Sequence, residues 1–303
     1  MSAATASPTG TVAIATRPAR RLGTFARFVR QPVVMTAASF LVLLVLFAYL
    51  GPFVLPIDPA TQTKDVLQGP SLGHWFGTDE FGRDIFARVL VGARASIEIS
   101  LGAAAFAAVI GVLIGLVAGY VGGLLDGVFM RILDVVLALP EVVLALVIVA
   151  VLGNTTGNLI LAIGIAFVPV FARVTRASVL GIRERDFVVA SRAMGALSGD
   201  TMFRTILPNV VGPIIVQFII TAAIAVIASA GLGFLGLGPA APTPSWGGML
   251  QTAKSFIYQA PWYAAFPGIA LILTVLCLDR IGDGLRSAMG LQSAGPREQG
   301  AGH

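Results

Sequence analysis

The stretch ISLGAAAFAAVIGVLIGLVAGYVGGLL, residues 99–125, contains no Asp, Glu, Lys or Arg. A helix needs roughly 20 apolar residues to cross the hydrocarbon core of a bilayer, and this stretch exceeds that length. Four further intervals are also uncharged and long enough, at residues 31–57, 142–172, 205–253 and 255–278. Lipid admits only segments that satisfy their own backbone hydrogen bonds, so these intervals predict membrane-spanning helices.

The composition supports a membrane protein and argues against other classes. Of 303 residues, 56% are hydrophobic and 12% charged, whereas an average soluble domain has about 25% charged residues. The net charge is +5, but no stretch interleaves Lys or Arg with aromatic residues, which argues against nucleic-acid binding. Cys277, His74 and His303 are too few and too dispersed for a thiolate or histidine metal site, so we expect no metal in this chain.

The pattern of apolar segments predicts an all-α integral membrane fold with six transmembrane helices. The second half of interval 205–253 is too rich in Gly and Pro for a spanning helix and predicts a re-entrant or extracytoplasmic loop. The first apolar run follows a basic stretch, as in a signal peptide, but it is too long and no small-x-small cleavage site follows it. We therefore predict a retained signal anchor. The predicted helices lie at about 33–55, 95–121, 128–152, 157–176, 208–230 and 264–285.

The distribution of basic residues predicts the orientation. With the N-terminus inside, fifteen of the 20 basic residues lie on the cytoplasmic side, so we expect a cell-membrane protein with both termini cytoplasmic. The chain then divides into a cytoplasmic basic tail at 1–30, an N-terminal helix with an outer loop at 31–94, a transmembrane domain at 95–288 that contains a cytoplasmic loop at 177–207, and a cytoplasmic tail at 289–303.

The cytoplasmic loop has a helical pattern. Phe187, Ala190, Ala193 and Met194 follow 3-and-4 spacing, and Gly195 then ends the predicted helix. A second short helix at 200–206 leads to a proline that suits the first turn of the next membrane helix. One interpretation is an amphipathic helix on the membrane surface. The small side chains instead favour insertion into a groove of a partner protein, because they bury little area in lipid.

This loop resembles the EAA loop of ABC-importer permeases, E-A-A-x3-G-x9-I-x-L-P. Ala190, Gly195, Leu207 and Pro208 match it in register. The sequence departs from it where Val189 stands for Glu, Ser191 for Ala and Thr205 for Ile.

Three other segments resemble the C-type permease subunits of dipeptide, oligopeptide and nickel importers. Residues 74–97 are similar to their H-x-L-G-T-D-x-x-G-R-D segment, and FLGLG followed by PSWGGML, and IGDGLR, are similar to later segments in the same order. The last motif departs from the usual continuation, because Ser287 and Gly290-Leu291 stand where an Asp and an Asp-Pro are expected.

The resemblance implies a five-helix permease core plus one N-terminal helix, with no catalytic residues in this chain. It implies a homologous second permease subunit, two ATPase subunits that bind ATP and Mg, and an extracytoplasmic substrate-binding protein; no P-loop motif occurs in this chain. The cargo implied is short peptides, with nickel chelates or another small solute as alternatives. The residues implied to couple to the ATPase are Phe187, Ala190, Ser191, Arg192, Ala193, Gly195, Ala196, Leu207 and Pro208.

Several charged residues are further candidates. Glu141, ten residues beyond Arg131 on one predicted helix, would lie about 15 Å deeper, near the midplane, where a carboxylate should face the interior or a wet cavity. It would line the translocation pathway, or be a protonated or hydrogen-bonded group between helices. In a proton-coupled secondary transporter, the remote alternative, it would carry the proton. Arg131 is expected to pair with Asp134.

The outer loop offers a second group of candidates. It would contact the binding protein or brace an outer gate, or alternatively fold on itself through Arg83 and acid pairs and cap a helix near Asp84. Trp246 and Trp262 are predicted to be interfacial anchors. The residues singled out in this loop are Thr78, Asp79, Gly82, Arg83 and Asp84.

Overall fold

A computed structural model describes residues 24–54, 58–240 and 243–290 of the chain, and within these residues it is helical with no strand. The predicted tails at 1–30 and 289–303 therefore lie largely outside the described residues. The helices are α1 (Thr24–Val29), α2 (Pro32–Val54), α3 (Ile85–Val121), α4 (Gly123–Leu137), α5 (Glu141–Leu152), α6 (Thr156–Leu180), α7 (Asp186–Ala193), α8 (Ser198–Asp200), α9 (Leu207–Leu232), α10 (Trp246–Ala253) and α11 (Pro261–Ala288). Short π-helical turns at Thr201–Ile206 and Gly233–Leu237 extend α9 at both ends, and a 3-10 turn, Lys254–Phe256, follows α10.

Five of the described helical segments are long and apolar enough to cross a membrane: α2, α3, α6, the continuous segment Ser198–Leu237, and α11. The sixth candidate is the pair α4 and α5, which are bent by 84° at a short break. The predicted all-α membrane fold with six spans is therefore confirmed when the bent pair is counted as one span.

The prediction of one continuous helix at 128–152 is wrong. The chain breaks between Leu137 and Glu141, where Pro140 has no N–H to donate and its ring would clash with the carbonyl four residues earlier. The start of the second predicted helix, at 95, is also wrong. α3 begins at Ile85, because the side chain of Asp84 accepts a hydrogen bond from the backbone N–H of Ala87 and caps the helix.

The Gly-rich stretch after α9 also differs from the prediction. The helical run extends beyond Leu232 into the turn Gly233–Leu237, where Gly236 has a non-helical φ of 87° that lets the chain turn towards α10. Trp246 is not an interfacial anchor, because its side chain is fully buried and its Nε1 donates to the carbonyl of Val89 at 2.9 Å.

A close helix contact joins α3 to α6 through glycines spaced four residues apart on α3, at positions 111, 115 and 119. A Cβ atom added at Gly111 would lie 2.5 Å from Cβ of Phe171, and one at Gly115 would lie 2.3 Å from the carbonyl oxygen of Ala172. Small residues at this spacing let two helix backbones approach closely in a membrane, where packing rather than water drives association.

We expect Gly115→Ala to destabilise the protein by about 1–3 kcal/mol, because the added methyl group overpacks the contact with α6. The matched control is Gly127→Ala on α4, where an added Cβ meets nothing within 4 Å. This control should leave stability unchanged or raise it by up to about 1 kcal/mol, through helix propensity. Thermal melting of both purified variants in one detergent measures the difference, and equal melting temperatures would contradict the packing argument.

Candidate functional site

The candidate site is the segment 181–208, which connects α6 to α9. α6 ends at Leu180, and a turn leads to α7, whose first turn contains Asp186, an acid that suits a helix N-terminus. After α7, the chain reverses and enters the helical run from Ser198 onward, which becomes α9 at Leu207. The segment is therefore a helix-turn-helix projection between two membrane helices.

The reversal depends on Gly195, which has φ 82°. The N–H of Gly195 donates to the carbonyl of Arg192 at 2.9 Å, and the N–H of Ala196 donates to the carbonyl of Ser191 at 3.2 Å. These two bonds form a Schellman motif, in which a left-handed residue satisfies the last carbonyls of a helix. The positive φ explains why glycine stands here, since other residues adopt this conformation at a cost.

One buried side chain fixes α7 against the membrane helices. Val188 is fully buried, in a cluster with Leu116 of α3, Val179 of α6, and Ile206 and Val210 at the start of α9. Three membrane helices thus meet the segment at a single apolar cluster. Displacement of α7 is therefore resisted by all three helices.

The rest of α7 presents an apolar face to the outside. Phe187 is 42% exposed and Met194 is 82% exposed, and Leu197, beyond the turn, is 74% exposed. Of the other predicted coupling residues, Ser191, Ala196 and Leu207 are half-buried. The exposed ones are Ala190, Arg192, Ala193, Gly195 and Pro208.

Polar contacts attach the segment 181–208 to the end of α3. The guanidinium of Arg192 lies over the ring of Tyr120, 4.9 Å from its centroid, and donates to the carbonyl of Arg183 at 3.3 Å. Arg183 in turn donates to the carbonyl of Gly119 at 3.1 Å. The stretch Ser198–Ile206 is the second arm of the segment, and α7 is the first. The two arms contact each other through the hydroxyls of Ser191 and Thr205, which lie 3.5 Å apart.

The second arm is not a separate helix. The predicted helix at 200–206 begins at Ser198 and continues without a break into α9, with Pro208 in the first turn of α9. A force on this arm therefore acts directly on a membrane span.

Ion pairs also join α4 to α6 near the same end of the molecule. Arg176 binds Asp126 through two hydrogen bonds of 2.5 and 2.6 Å. The predicted pairing of Asp134 with Arg131 is replaced by a bond from Arg173 of α6, at 2.6 Å. The 3-residue spacing of Arg131 and Asp134 on α4 suggested a pair, but the close approach of α4 and α6 gives Asp134 a partner on another helix instead.

At the opposite end, the 58–84 loop folds around a buried carboxylate. Asp79 has no exposed surface, and its side chain accepts hydrogen bonds from the backbone N–H groups of Phe81 and Arg83, both at 2.9 Å. Its Oδ2 lies 2.7 Å from Nε of Arg83 and 3.2 Å from Nε of Arg88. Arg83 also pairs with Glu80 at 3.1 Å. The loop thus folds on itself, as one of the two interpretations expected.

The remaining loop candidates also form contacts within the loop and with α3. Thr78 is fully buried, accepts from the backbone N–H of Gln68 at 2.9 Å and donates to the carbonyl of Asp65. Gly82 has φ 68°, and a Cβ atom there would lie 2.2 Å from the carbonyl oxygen of Thr63. Asp84 caps α3 with one carboxylate oxygen, and its other oxygen contacts Nδ1 of His74 at 2.9 Å.

Glu141 lies at the first position of α5, immediately after the break, and is exposed. The straight-helix geometry behind the predicted depth is therefore wrong, because the axis turns by 84° between α4 and α5. The carboxylate instead suits the N-terminus of α5, whose backbone N–H groups favour negative charge.

Residues 111–290 match the family described as binding-protein-dependent transport system inner membrane component. The chain belongs to this family. Residues 23–70 of this permease also match the N-terminal transmembrane domain of oligopeptide transport permease C.

Relatives of the permease extend over most of its length. It is 42% identical to the dipeptide transport system permease protein DppC of Alkalihalophilus pseudofirmus over 246 residues, 81% of each chain. It is 44% identical to the glutathione transport system permease protein GsiD of Shigella flexneri over 265 residues, 87% of this chain and 88% of the relative. The permease is thus the membrane subunit of an ABC importer, a class that works with a second permease, ATPases and a binding protein.

Solved structures support the fold of the permease. It resembles a chain of the inward-facing MetNI methionine ABC transporter with a TM-score of 0.55 and 20% identity. The match covers 68% of the permease and 97% of that chain.

Val188 and the glycines on α3 were not predicted from the sequence. Val188 was hidden because the apolar pattern of α7 emphasised Phe187 and Met194, which face outward. The four-residue spacing of Gly111, Gly115 and Gly119 was a usable signal in the sequence.

Proposed function

We propose that this permease forms half of the translocation pathway for dipeptides and oligopeptides. A binding protein delivers the peptide from outside, a homologous permease supplies the other half, and two ATPase subunits bind ATP and Mg. The observation that carries the peptide assignment is the similarity, over four-fifths of the chain, to permeases named for a dipeptide and for the tripeptide glutathione.

Within this function, the segment 181–208 docks on one ATPase subunit. The exposed apolar face that includes Phe187 and Met194 supports this role, since a soluble surface rarely leaves such groups uncovered without a partner. The buried anchor Val188 and the unbroken connection to α9 give the docked helix a rigid route to the membrane spans. Motion of the ATPase can therefore tilt α9 instead of only bending a loop.

The same proposal places both termini in the cytoplasm. The arginines around the segment 181–208 support this orientation, because basic residues favour the cytoplasmic side. Arg173 and Arg176 lie at that end of α6, and Arg183 and Arg192 lie in the segment itself.

Two further roles belong to the proposal. Glu141, exposed in the isolated chain, lines the pathway where α5 begins. On the outer side, Thr78, Asp79 and Gly82 brace the loop from within, while the half-buried Arg83 and Asp84 and the exposed Trp75 and Phe81 provide surface for the binding protein.

Uptake by the complete importer in proteoliposomes tests the proposed function. With ATP inside and loaded binding protein outside, we expect accumulation of a labelled dipeptide and none of a nickel chelate. A proton ionophore should leave uptake intact, whereas removal of ATP should abolish it. Accumulation of the nickel chelate alone would contradict peptide transport, and sensitivity to the ionophore without ATP dependence would support proton coupling through Glu141.

A further inference from the structure

A groove opens on the outer surface of the helix bundle where α2 leans against α3, α9 and α11. Its volume is about 320 Å³, and its walls are almost entirely apolar. Several of its side chains are well exposed, including Val42 at 57% and Leu46 at 46%. Because its walls are formed by membrane-spanning helices, the surrounding medium is the bilayer. The main wall residues are Leu41, Val45 and Leu46 of α2, Ile97 and Leu101 of α3, and Val226 of α9.

A polar cluster lies one helical turn beyond the groove, on the same faces of α2 and α3. The hydroxyl of Tyr49 donates to Glu98 at 2.7 Å. Arg94 donates from Nε to the carbonyl of Ala48 at 2.5 Å and from Nη2 to that of Tyr49 at 3.0 Å. Tyr49 follows Val45 by four residues, and Leu101 follows Glu98 by three, so each helix carries both the cluster and the groove wall on one face.

The cluster leaves both of its charges open to a ligand. Within the described part of the chain, the exposed Glu98 forms no ion pair, and it directly precedes the uncharged membrane stretch 99–125. Arg94 uses two of the five N–H groups of its guanidinium for the carbonyls of Ala48 and Tyr49, so further donors remain. An anion and a cation placed side by side would satisfy both residues.

The cluster lies nearer to the outer end of α2 than the groove does. Tyr49 lies five residues before the end of α2 at Val54, about 7.5 Å along the axis, and Leu41 lies about 20 Å from that end. One leaflet contributes about 15 Å of hydrocarbon, half of the usual core. Leu46 and Leu41 lie about 12 and 20 Å from the end of α2, so the groove lies at the depth that the ends of acyl chains reach, and the cluster lies nearer to the headgroups.

We propose that this groove binds a phospholipid with a primary ammonium headgroup, of the phosphatidylethanolamine type. Its phosphate accepts hydrogen bonds from Arg94, its ammonium pairs with Glu98, and one acyl chain fills the groove. The lipid then bridges α2, the N-terminal span, to the core formed by α3, α9 and α11. This site is separate from the peptide pathway and does not depend on the cargo.

Lipid titration followed by native mass spectrometry tests the proposal on the intact importer, after delipidation in a mild detergent. The probes are phosphatidylethanolamine, phosphatidylcholine, whose ammonium is methylated, and phosphatidylglycerol, which has no ammonium. We expect the first to bind about tenfold more tightly than the other two, since one charge-assisted contact contributes about that factor. Equal binding of all three lipids would overturn the proposal.

Two variants separate the headgroup contact from the groove. Glu98→Gln should remove the preference for phosphatidylethanolamine, whereas Glu184→Gln, in an exposed position of the segment 181–208, should keep it. Leu101→Trp should weaken binding of all three lipids by filling the groove. Leu113→Trp, at an exposed position of α3 that does not line the groove, is its matched control.

Two further measurements detect misfolded variants and a protein helix that occupies the groove in place of a lipid. Melting temperatures without added lipid show whether a variant has folded, and the rise on adding phosphatidylethanolamine gives a second measure of binding. If phosphatidylethanolamine raises the melting temperature of both Glu98→Gln and Leu101→Trp as much as that of the unsubstituted permease, the proposal is overturned. A cross-link from position 101 to the second permease at full yield would also overturn it, because the groove would then hold a protein helix.

Discussion

In Gly195→Trp, uptake is expected to fall by more than about tenfold while the importer continues to hydrolyse ATP. The substitution acts through bulk and through backbone strain. An added Cβ at this position meets nothing within 4 Å in the permease itself, so the indole would project from the docking surface towards the ATPase. In addition, φ of 82° costs a non-glycine residue roughly 1–2 kcal/mol, which loosens the end of α7.

Two smaller substitutions separate these effects. Gly195→Asn tolerates the left-handed conformation and should retain most uptake, whereas Gly195→Ala introduces strain with little bulk and should give an intermediate result. ATP hydrolysis and peptide uptake are measured on the same proteoliposomes, so that their ratio reports coupling. Normal coupled uptake in Gly195→Trp would refute the docking of this turn on the ATPase.

Asp79→Ala is expected to destabilise the outer half of the permease by about 3–5 kcal/mol, the cost of stranding a buried charge. Asp79 is fully buried and faces Arg83 and Arg88. Arg83 retains Glu80 as a partner at 3.1 Å. Among the described residues, Arg88 retains a hydrogen bond of 3.3 Å to the carbonyl of Pro59 and the weaker attraction of the Glu80 carboxylate, with which it forms no ion pair. The loss of stability should therefore arise mainly at Arg88.

Thermal melting and protease cleavage within the 58–84 loop measure this change. Asp58→Ala is the matched control, because Asp58 is exposed and its removal should cost at most about 1 kcal/mol. Combining Asp79→Ala with Arg88→Met should restore part of the stability, since the stranded charge is removed as well. If the double variant is no more stable than Asp79→Ala, the stranded charge is not the cause.

The two ends of the molecule use different physical means to hold their geometry. The outer loop is organised by a buried carboxylate that binds backbone N–H groups and two guanidinium groups. The segment 181–208 is instead fixed by the apolar cluster around Val188 and by a glycine turn. The segment 181–208 contacts three membrane helices at one cluster and continues directly into α9, whereas the ion pairs of Asp79 lie within the 58–84 loop and at the start of α3. The segment 181–208 is therefore the better suited of the two to transmit motion.

Local features of the sequence were enough to predict much of the molecule. Uncharged runs predicted the spans, because in lipid each helix must satisfy its backbone hydrogen bonds within itself. The end of α7 at Gly195 and the start of α9 near Pro208 were also predicted, since turn and cap preferences depend on a few neighbouring residues. The break at Pro140 carried the same kind of local signal, which the prediction of one straight helix through Glu141 overlooked.

Only the tertiary structure decided which side chains meet. Asp134 pairs with Arg173 of another helix, Trp246 is buried against α3, and Val188 faces inward while Phe187 faces out. The rotation of each helix about its axis sets these contacts, and in a chain that is apolar on nearly all sides, hydrophobic periodicity does not specify that rotation. Close approach at Gly111 and Gly115 fixes it for α3 and α6, because backbone can meet backbone only where side chains are absent.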